Sequence, residues 1–240
     1  MANEVNIYSY RQEFLLKPFL DEFNARTGIK ANVVYAKSGL LERLESEGAN
    51  SPADLVLTVD ISRLQAIADA GLFQAVQSST LENNIPENLR SDDNVWFGLS
   101  KRARVIAVSN DRIQDGEIKT LEELADGKWE GRLCARPGSH VYNRALIASV
   151  VAAHGEETAQ KWAEGIVANF ARKPQGNDRA QIRAVAAGVC DVAIVNNYYY
   201  GVMQASDEAE QNVAAAKVHL VYLNQDGRGN HVNISGGGVV

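Results

Sequence analysis

A chain of 240 residues with 45% apolar and 22% charged side chains has the composition of a folded globular protein, either one large domain or two small ones. The formal net charge is −6 and no block of lysine or arginine interrupts the sequence, which argues against nucleic acid and against an anionic membrane surface as partners. No apolar run approaches the roughly 20 residues of a membrane span, and Met1-Ala2-Asn3-Glu4 leads straight into a strand pattern. The expectation is a soluble chain that is not membrane-embedded, with any export signal removed or never present.

Along the chain the apolar period switches repeatedly between that of strands and that of helices. Val5-Asn6-Ile7-Tyr8 reads as a strand, 14–23 as an amphipathic helix, 31–35 as a strand, 40–44 as the start of a helix, 54–58 as a strand and 61–70 as a helix. A βαβαβα order implies a mainly parallel sheet with covering helices. From 72 to 94 the pattern turns irregular, with Asn83-Asn84-Ile85-Pro86 as turn chemistry, and a boundary or insertion is expected there. Residues 96–108 then form a segment with no internal breaker beyond Gly98 that is too long for an ordinary strand of about five to six residues, long enough to cross between two domains.

A second α/β unit follows, with a helix near 120–125, a strand at Cys134, helices between 142 and 170, a helix over 180–187, a strand at Cys190 and another over 218–223. Gln225-Asp226-Gly227-Arg228-Gly229 reads as a hairpin-like turn into 231–235, a candidate second crossover. The expected organisation is therefore 1–100 as the first lobe, 101–228 as the second, and 229–240 as a return strand. Gly236-Gly237-Gly238 is either a flexible crossover or a phosphate cradle; without a following Lys-Ser/Thr the crossover is preferred.

The chain has two cysteines, Cys134 and Cys190, each in a strand-like segment. If the two strands are neighbours a disulfide is possible and points to an oxidising compartment such as a periplasm; two buried free thiols are the alternative. Enzyme signatures are missing: there is no G-x-S-x-G, Walker loop, G-x-G-x-x-G after a strand, or H-E-x-x-H. The four histidines, His140, His154, His219 and His231, have no ligand-like spacing.

What remains is a set of tyrosines and arginines at element ends: Tyr8, Tyr10, Arg11, Arg104, Ser139, Tyr142, Tyr198 and Tyr199. Asn196-Asn197-Tyr198-Tyr199-Tyr200-Gly201 places three of the chain's eight tyrosines in a row where the apolar run 192–195 stops. Adjacent strand residues face opposite sides, so the three rings cannot share one core. One reading is core packing with one exposed ring; the other is a ligand site beyond the carboxyl ends of the strands. A phenol does not ionise alone at neutral pH, but a hard trivalent cation displaces its proton, and three phenolates balance a 3+ charge. An added anion would then draw on Arg11, Arg104 and the turn Gly138-Ser139.

From Val5 to its last residue the chain resembles the periplasmic ferric-iron-binding proteins, the solute receptors of bacterial iron ABC importers often called bacterial transferrins. The resemblance rests on Ile7-Tyr8-Ser9-Tyr10-Arg11-Gln12, on Ser51-Pro52-Ala53-Asp54-Leu55-Val56-Leu57-Thr58-Val59-Asp60, on Trp96-Phe97-Gly98-Leu99 with Arg102-Ala103-Arg104-Val105, on Ala171-Arg172-Lys173-Pro174-Gln175-Gly176, and on the tyrosine block. It implies a two-lobed α/β periplasmic binding protein fold of type II, its lobes joined by two crossover strands, with the metal held in the cleft between them. The resemblance also implies C-terminal helices beyond the second crossover, which are expected to be absent from this sequence.

The resemblance further implies ferric iron on Tyr142, Tyr198 and Tyr199, with Tyr10 and Asp60 as secondary ligand candidates and Tyr200 left to pack. Gln12 stands where some members carry a histidine ligand, so the branch without that histidine is closer. A synergistic anion, carbonate or bicarbonate, is implied near Arg104, Arg11 and Ser139. The implied protein is a monomeric receptor, not an enzyme, that delivers iron to an ABC importer permease. Its expected place is the periplasm, or a lipid anchor outside the membrane of a Gram-positive. Two rivals remain at this stage: a receptor of the same fold for thiamine, a polyamine or an anion, and an α/β enzyme using Tyr199 as an acid or base.

Overall fold

The computed structural model describes residues 3–240. The chain divides into two compact units, one comprising Met1–Lys101 with Ile234–Val240 and the other Arg102–Asn233.

In the first unit β1 (Glu4–Ser9), β2 (Lys30–Tyr35) and β3 (Leu55–Thr58) alternate with α1 (Glu13–Thr27), α2 (Leu40–Glu47) and α3 (Ile61–Asp69). β1 lies between β2 and β3 and is parallel to both, and β8 (Val232–Val239) joins the far side of β3 antiparallel. The core gathers Tyr8, Leu40, Leu44, Val56, Leu64, Ile67 and Phe73. Tyr8 is a satisfied core residue, its hydroxyl donating to the Glu47 carboxylate at 2.9 Å while the Arg43 guanidinium covers its ring. The expected irregular stretch from 72 to 94 contains a short helix, α4 (Ser79–Asn84), with Ser78 as its cap, and a 3-10 turn at Glu87–Leu89.

α1 forms where the sequence places it and stops at Gly28, whose left-handed backbone returns its N–H to the Asn24 carbonyl at 2.8 Å. Its amphipathic pattern leads one to expect a buried face, yet among the described residues none of its side chains is buried.

The three glycines of β8 are neither a flexible crossover nor a phosphate cradle. They pair in register with β3, Gly236 opposite Thr58, Gly237 opposite Leu57 and Gly238 opposite Val56. A Cβ at Gly236 would collide with the Phe97 carbonyl, at Gly237 it would lie 2.8 Å from the Val56 oxygen, and at Gly238 2.6 Å from the Val95 oxygen. The residues are glycine because backbone passes too close for a side chain.

The chain leaves the first unit within β4 (Phe97–Ser109), a single strand of 13 residues, and returns within β8. The second unit is built on a sheet in the order β5 (Leu133–Cys134), β6 (Val192–Asn196), β4 and β7 (Val218–Val221). β5 and β6 are parallel, whereas β4 runs antiparallel to β6 and to β7. Alternation sorts their side chains onto two cores. Ile106, Val108, Val192 and Ile194 face Leu146 and Val150 of α5 (Val141–His154) and Trp162 and Ile166 of α6 (Glu156–Ala168). Val105, Ala107, Ala193 and Val195 face Ile182 and Val185 of α7 (Asp178–Ala186), Met203 of α8 (Asn197–Gln204) and Ala214 and Ala215 of α9 (Ala209–Ala216).

Two expectations are corrected here. Cys190 precedes β6 instead of lying in a strand; it nevertheless meets Cys134 with Cα atoms 5.9 Å apart, and the two form a disulfide. The tyrosine triplet does not continue a strand either: β6 ends at Asn196, and Tyr198, Tyr199 and Tyr200 occupy the first turns of α8. Their rings therefore fan out by roughly 100° per residue instead of alternating by 180°. No described helix is long and apolar enough to cross a membrane.

Candidate functional site: three phenols at the carboxyl edge of the second sheet

The parallel register of β5 and β6, Leu133 opposite Val192 and Cys134 opposite Ala193, puts both carboxyl ends on one edge of the sheet. The chain leaving β5 turns through Pro137-Gly138-Ser139 into α5, and the chain leaving β6 enters α8 directly. The first turns of two helices therefore meet at that edge. His140 caps α5, its Nδ1 accepting from the Tyr142 N–H at 3.2 Å, and its ring packs edge-on against the Tyr142 ring with centroids 4.5 Å apart. The outcome is that the Tyr142 and Tyr198 hydroxyls lie 3.2 Å apart, although 56 residues separate them in sequence.

Tyr199 packs beside Tyr198 with ring centroids 4.3 Å apart. Tyr199 and Tyr200 both pack against the core that contains Ile182 and Met203, and Tyr200 donates its hydroxyl to the Val218 carbonyl at 3.2 Å. Tyr198 as a residue is 38% exposed, while its hydroxyl meets that of Tyr142. Burial first, and the neighbouring Tyr142 phenol second, push the Tyr198 hydroxyl well above the usual tyrosine value. Tyr199 is raised as well, chiefly by burial. Without a cation Tyr198 and Tyr199 are thus held neutral. A highly charged cation placed there would repel the protons the phenols otherwise keep, and the crowded hydroxyls would then offer it several oxygens. Among the described residues no group of three or more His, Cys, Asp or Glu side chains is placed to hold a metal ion.

Cationic groups surround the phenols. The guanidinium carbons of Arg136, Arg102 and Arg104 lie 5.0, 5.2 and 5.9 Å from the centroid of the Tyr142 ring. Arg104 begins the part of β4 that pairs with β6, opposite Asn196, and is only 4% exposed. Its Nη1 donates to Asp178 Oδ2 at 2.7 Å and its Nη2 to Asn143 Oδ1 at 2.6 Å, while its Nε has no hydrogen-bond partner among the described residues. Burial lowers the Arg104 pKa against the opposing pull of Asp178, yet a guanidinium paired with a carboxylate stays charged. Asn196 Nδ2 is a second buried donor without a partner, and both residues line a small concavity with Arg102, Tyr142, His231 and Asn233. Ser139 is exposed in the turn before α5.

The remaining candidates belong to the first unit and are engaged there. Tyr10 accepts from the Leu40 N–H at 3.0 Å, capping α2, under the Arg63 guanidinium. Asp60 is fully buried and caps α3 through Ser62. Arg11 donates to Ser235 at 2.7 Å. Sequence reasoning missed His140, Asn143, Arg136 and Asp178. For Asp178 a signal existed: Arg104 stands at the head of the apolar run 105–108, and a guanidinium buried there requires a carboxylate.

A sheet covered on both faces, with converging polar groups beyond its carboxyl edge, is the layout of an α/β ligand-binding protein. The comparisons define the class further. Residues 50–225 match the model of a bacterial extracellular solute-binding protein. The chain belongs to that family. It is 50% identical over 238 residues to iron uptake protein A1 of Synechocystis sp., covering 99% of this chain and 66% of that relative's length. Its structure superposes with a TM-score of 0.93 on the Trichodesmium protein IdiA (FutA) solved with iron and citrate ligands, at 48% identity over 99% of this chain and 75% of that one. The open form of ferric iron-binding protein A from Mannheimia haemolytica superposes with a TM-score of 0.89 at 43% identity, covering 99% of this chain and 75% of that one. The fold is accordingly the mixed α/β periplasmic solute-binding fold of the ferric-binding proteins.

Proposed function

We propose that the chain binds ferric iron through the phenolates of Tyr142, Tyr198 and Tyr199 and serves as the receptor of an iron importer outside the cytoplasm. The observation that carries this reading is the 3.2 Å approach of the Tyr142 and Tyr198 hydroxyls, with Tyr199 packed alongside. Hard trivalent iron prefers anionic oxygen, and neutral phenols held close together cost little until a cation takes them. Each phenolate formed releases a proton, so apparent affinity falls as pH falls. Nothing in this role requires a covalent bond to be made or broken, and the protein acts as a carrier, not an enzyme.

The unpartnered Arg104 Nε and Asn196 Nδ2, with exposed Ser139 nearby in sequence to Tyr142, support a synergistic anion at the same edge, for which carbonate is the first candidate. The Trichodesmium protein holds iron together with citrate, so citrate is the second anion to test. The iron-loaded chain would pass its cargo to a permease of the ABC importer class.

The experiment is an equilibrium titration of the metal-free protein with ferric nitrilotriacetate, run with bicarbonate, with citrate and with neither. Saturation at one equivalent, tightened by one of the anions, supports the proposal. A titration that never saturates under any of the three conditions contradicts it.

A further inference from the structure

We propose that Asp178 is the positioning residue of the three-tyrosine site, fixing the two phenol-bearing helices relative to each other without touching the ligand. The inference rests on the functional reading above and extends it to a residue outside the phenol cluster. Asp178 is the first residue of α7 and is completely buried. Its Oδ2 accepts from Arg104 Nη1 at 2.7 Å and from the backbone N–H of Asn196 at 2.9 Å, and its Oδ1 accepts from Arg136 Nη1 at 3.3 Å.

Each of those donors leads to a phenol. Asn196 is the last residue of β6, two residues before Tyr198. Arg104 passes from Asp178 to Asn143 Oδ1 at 2.6 Å, and Asn143 neighbours Tyr142 on α5. Asn143 Nδ2 in turn donates to the Arg136 carbonyl at 2.9 Å, closing the ring back to the carboxylate. One carboxylate thus ties the middle of β4, where its pairing with β6 begins, to the exit of β5, the start of α5 and the β6–α8 junction. These are the elements whose placement decides whether the Tyr142 and Tyr198 hydroxyls meet.

The charge balance makes the node sensitive. Two guanidiniums, Arg104 and Arg136, share this single carboxylate, and both lie within 6 Å of the Tyr142 ring centroid. Removing one partner of a buried ion pair leaves the other uncompensated, so the network must rearrange, whereas neutralising both is tolerated far better. That asymmetry separates positioning from bulk stability. Asp178→Asn keeps the shape and loses the charge; Asp178→Asn combined with Arg136→Met also removes the surplus cation.

The test measures melting temperature, ferric affinity and the visible iron band in wild type, Asp178→Asn, the double variant and Glu122→Gln, a control within the same unit. We expect Asp178→Asn to lower both melting temperature and affinity, the latter by the about 10–100-fold typical of residues that orient metal ligands. The double variant, in which Arg104 stays buried without its carboxylate, should recover part of the melting temperature but neither affinity nor the wild-type band position, and Glu122→Gln should leave iron binding unchanged. Recovery of affinity together with melting temperature would assign Asp178 to stability alone and overturn the proposal, as would wild-type affinity in Asp178→Asn.

A second readout needs no iron. Photo-oxidative dityrosine cross-linking between Tyr142 and Tyr198, located by peptide mapping in the metal-free protein, should drop at least about threefold in Asp178→Asn and stay low in the double variant. If wild type takes up no iron, the functional reading fails, while an unchanged cross-link yield is what would overturn the positioning role.

Discussion

The two units use the same alternation of strand and helix but pack it differently. In the second unit helices cover both faces of the sheet, a disulfide closes a span of 56 residues, and every residue of β6 is buried. In the first unit one cluster does the work, and α1 leaves Phe14 67% and Phe19 74% exposed. Amphipathic spacing predicts a helix in both places; burial depends on what the rest of the fold brings to that helix. The phenol cluster sits on the unit whose sheet is covered on both faces and which carries the disulfide.

Substitutions can break this contrast. The largest effect is expected on the ligand: Tyr198→Phe or Tyr199→Phe removes an ionisable oxygen at nearly constant volume, so ferric affinity should fall by more than the ~10–100-fold that an outer partner costs. Thermal melts of the same variants should stay near wild type, and a variant that still binds iron as tightly would count against the ligand assignment.

Replacing both Cys134 and Cys190 by Ala should cost about 4 kcal/mol from the lost constraint on the unfolded chain, read by chemical denaturation. Near-zero change would mean that the unit's cores hold without the bridge. Leu146→Ala, a 2% exposed position on α5, should cost about 2–5 kcal/mol, while Phe19→Ser on α1 should change stability by no more than about 0.5 kcal/mol. Equal losses at the two positions would erase the contrast between the units.

The smallest effect is electrostatic. Burial would raise the Glu122 carboxyl, but hydrogen bonds from Asn224, His154 and Arg228 outweigh it and hold the pKa at about 2. A depressed carboxyl pKa stabilises the fold above the unfolded value near 4.5, and that stability is lost as pH falls from there through about 2. With the side chain 33% exposed the effect is discounted to about 1 kcal/mol. Glu122→Gln should therefore lower the melting temperature at pH 7 and cost progressively less in acid; a penalty independent of pH would contradict the assignment.

Strands that read as continuous apolar runs, such as 105–108 and 192–195, are legible because both of their faces are buried and each demands its own apolar set. The start of α8 was not. Tyrosine favours strands, and Asn196 makes no side-chain capping bond, so no local signal announces the helix. Tyr142 and Tyr198 can be suspected from their positions at element ends, but their meeting depends on the parallel register of β5 and β6, a long-range property. Arg104 is legible as an anion-binding candidate beside Arg11 and Ser139, whereas its commitment to Asp178 across 74 positions needs the fold. The disulfide stood open for the same reason, since Cys134 and Cys190 are neighbours only once the strands pair.

The most direct measurement is the visible absorption spectrum of the protein titrated with ferric citrate, with and without bicarbonate, in wild type and in Tyr142→Phe, Tyr198→Phe and Tyr199→Phe. Three phenolates on iron predict a broad charge-transfer band that saturates at one equivalent and is weakened or abolished in each variant. A band that survives unchanged in all three variants, or no band at saturation, would contradict the account.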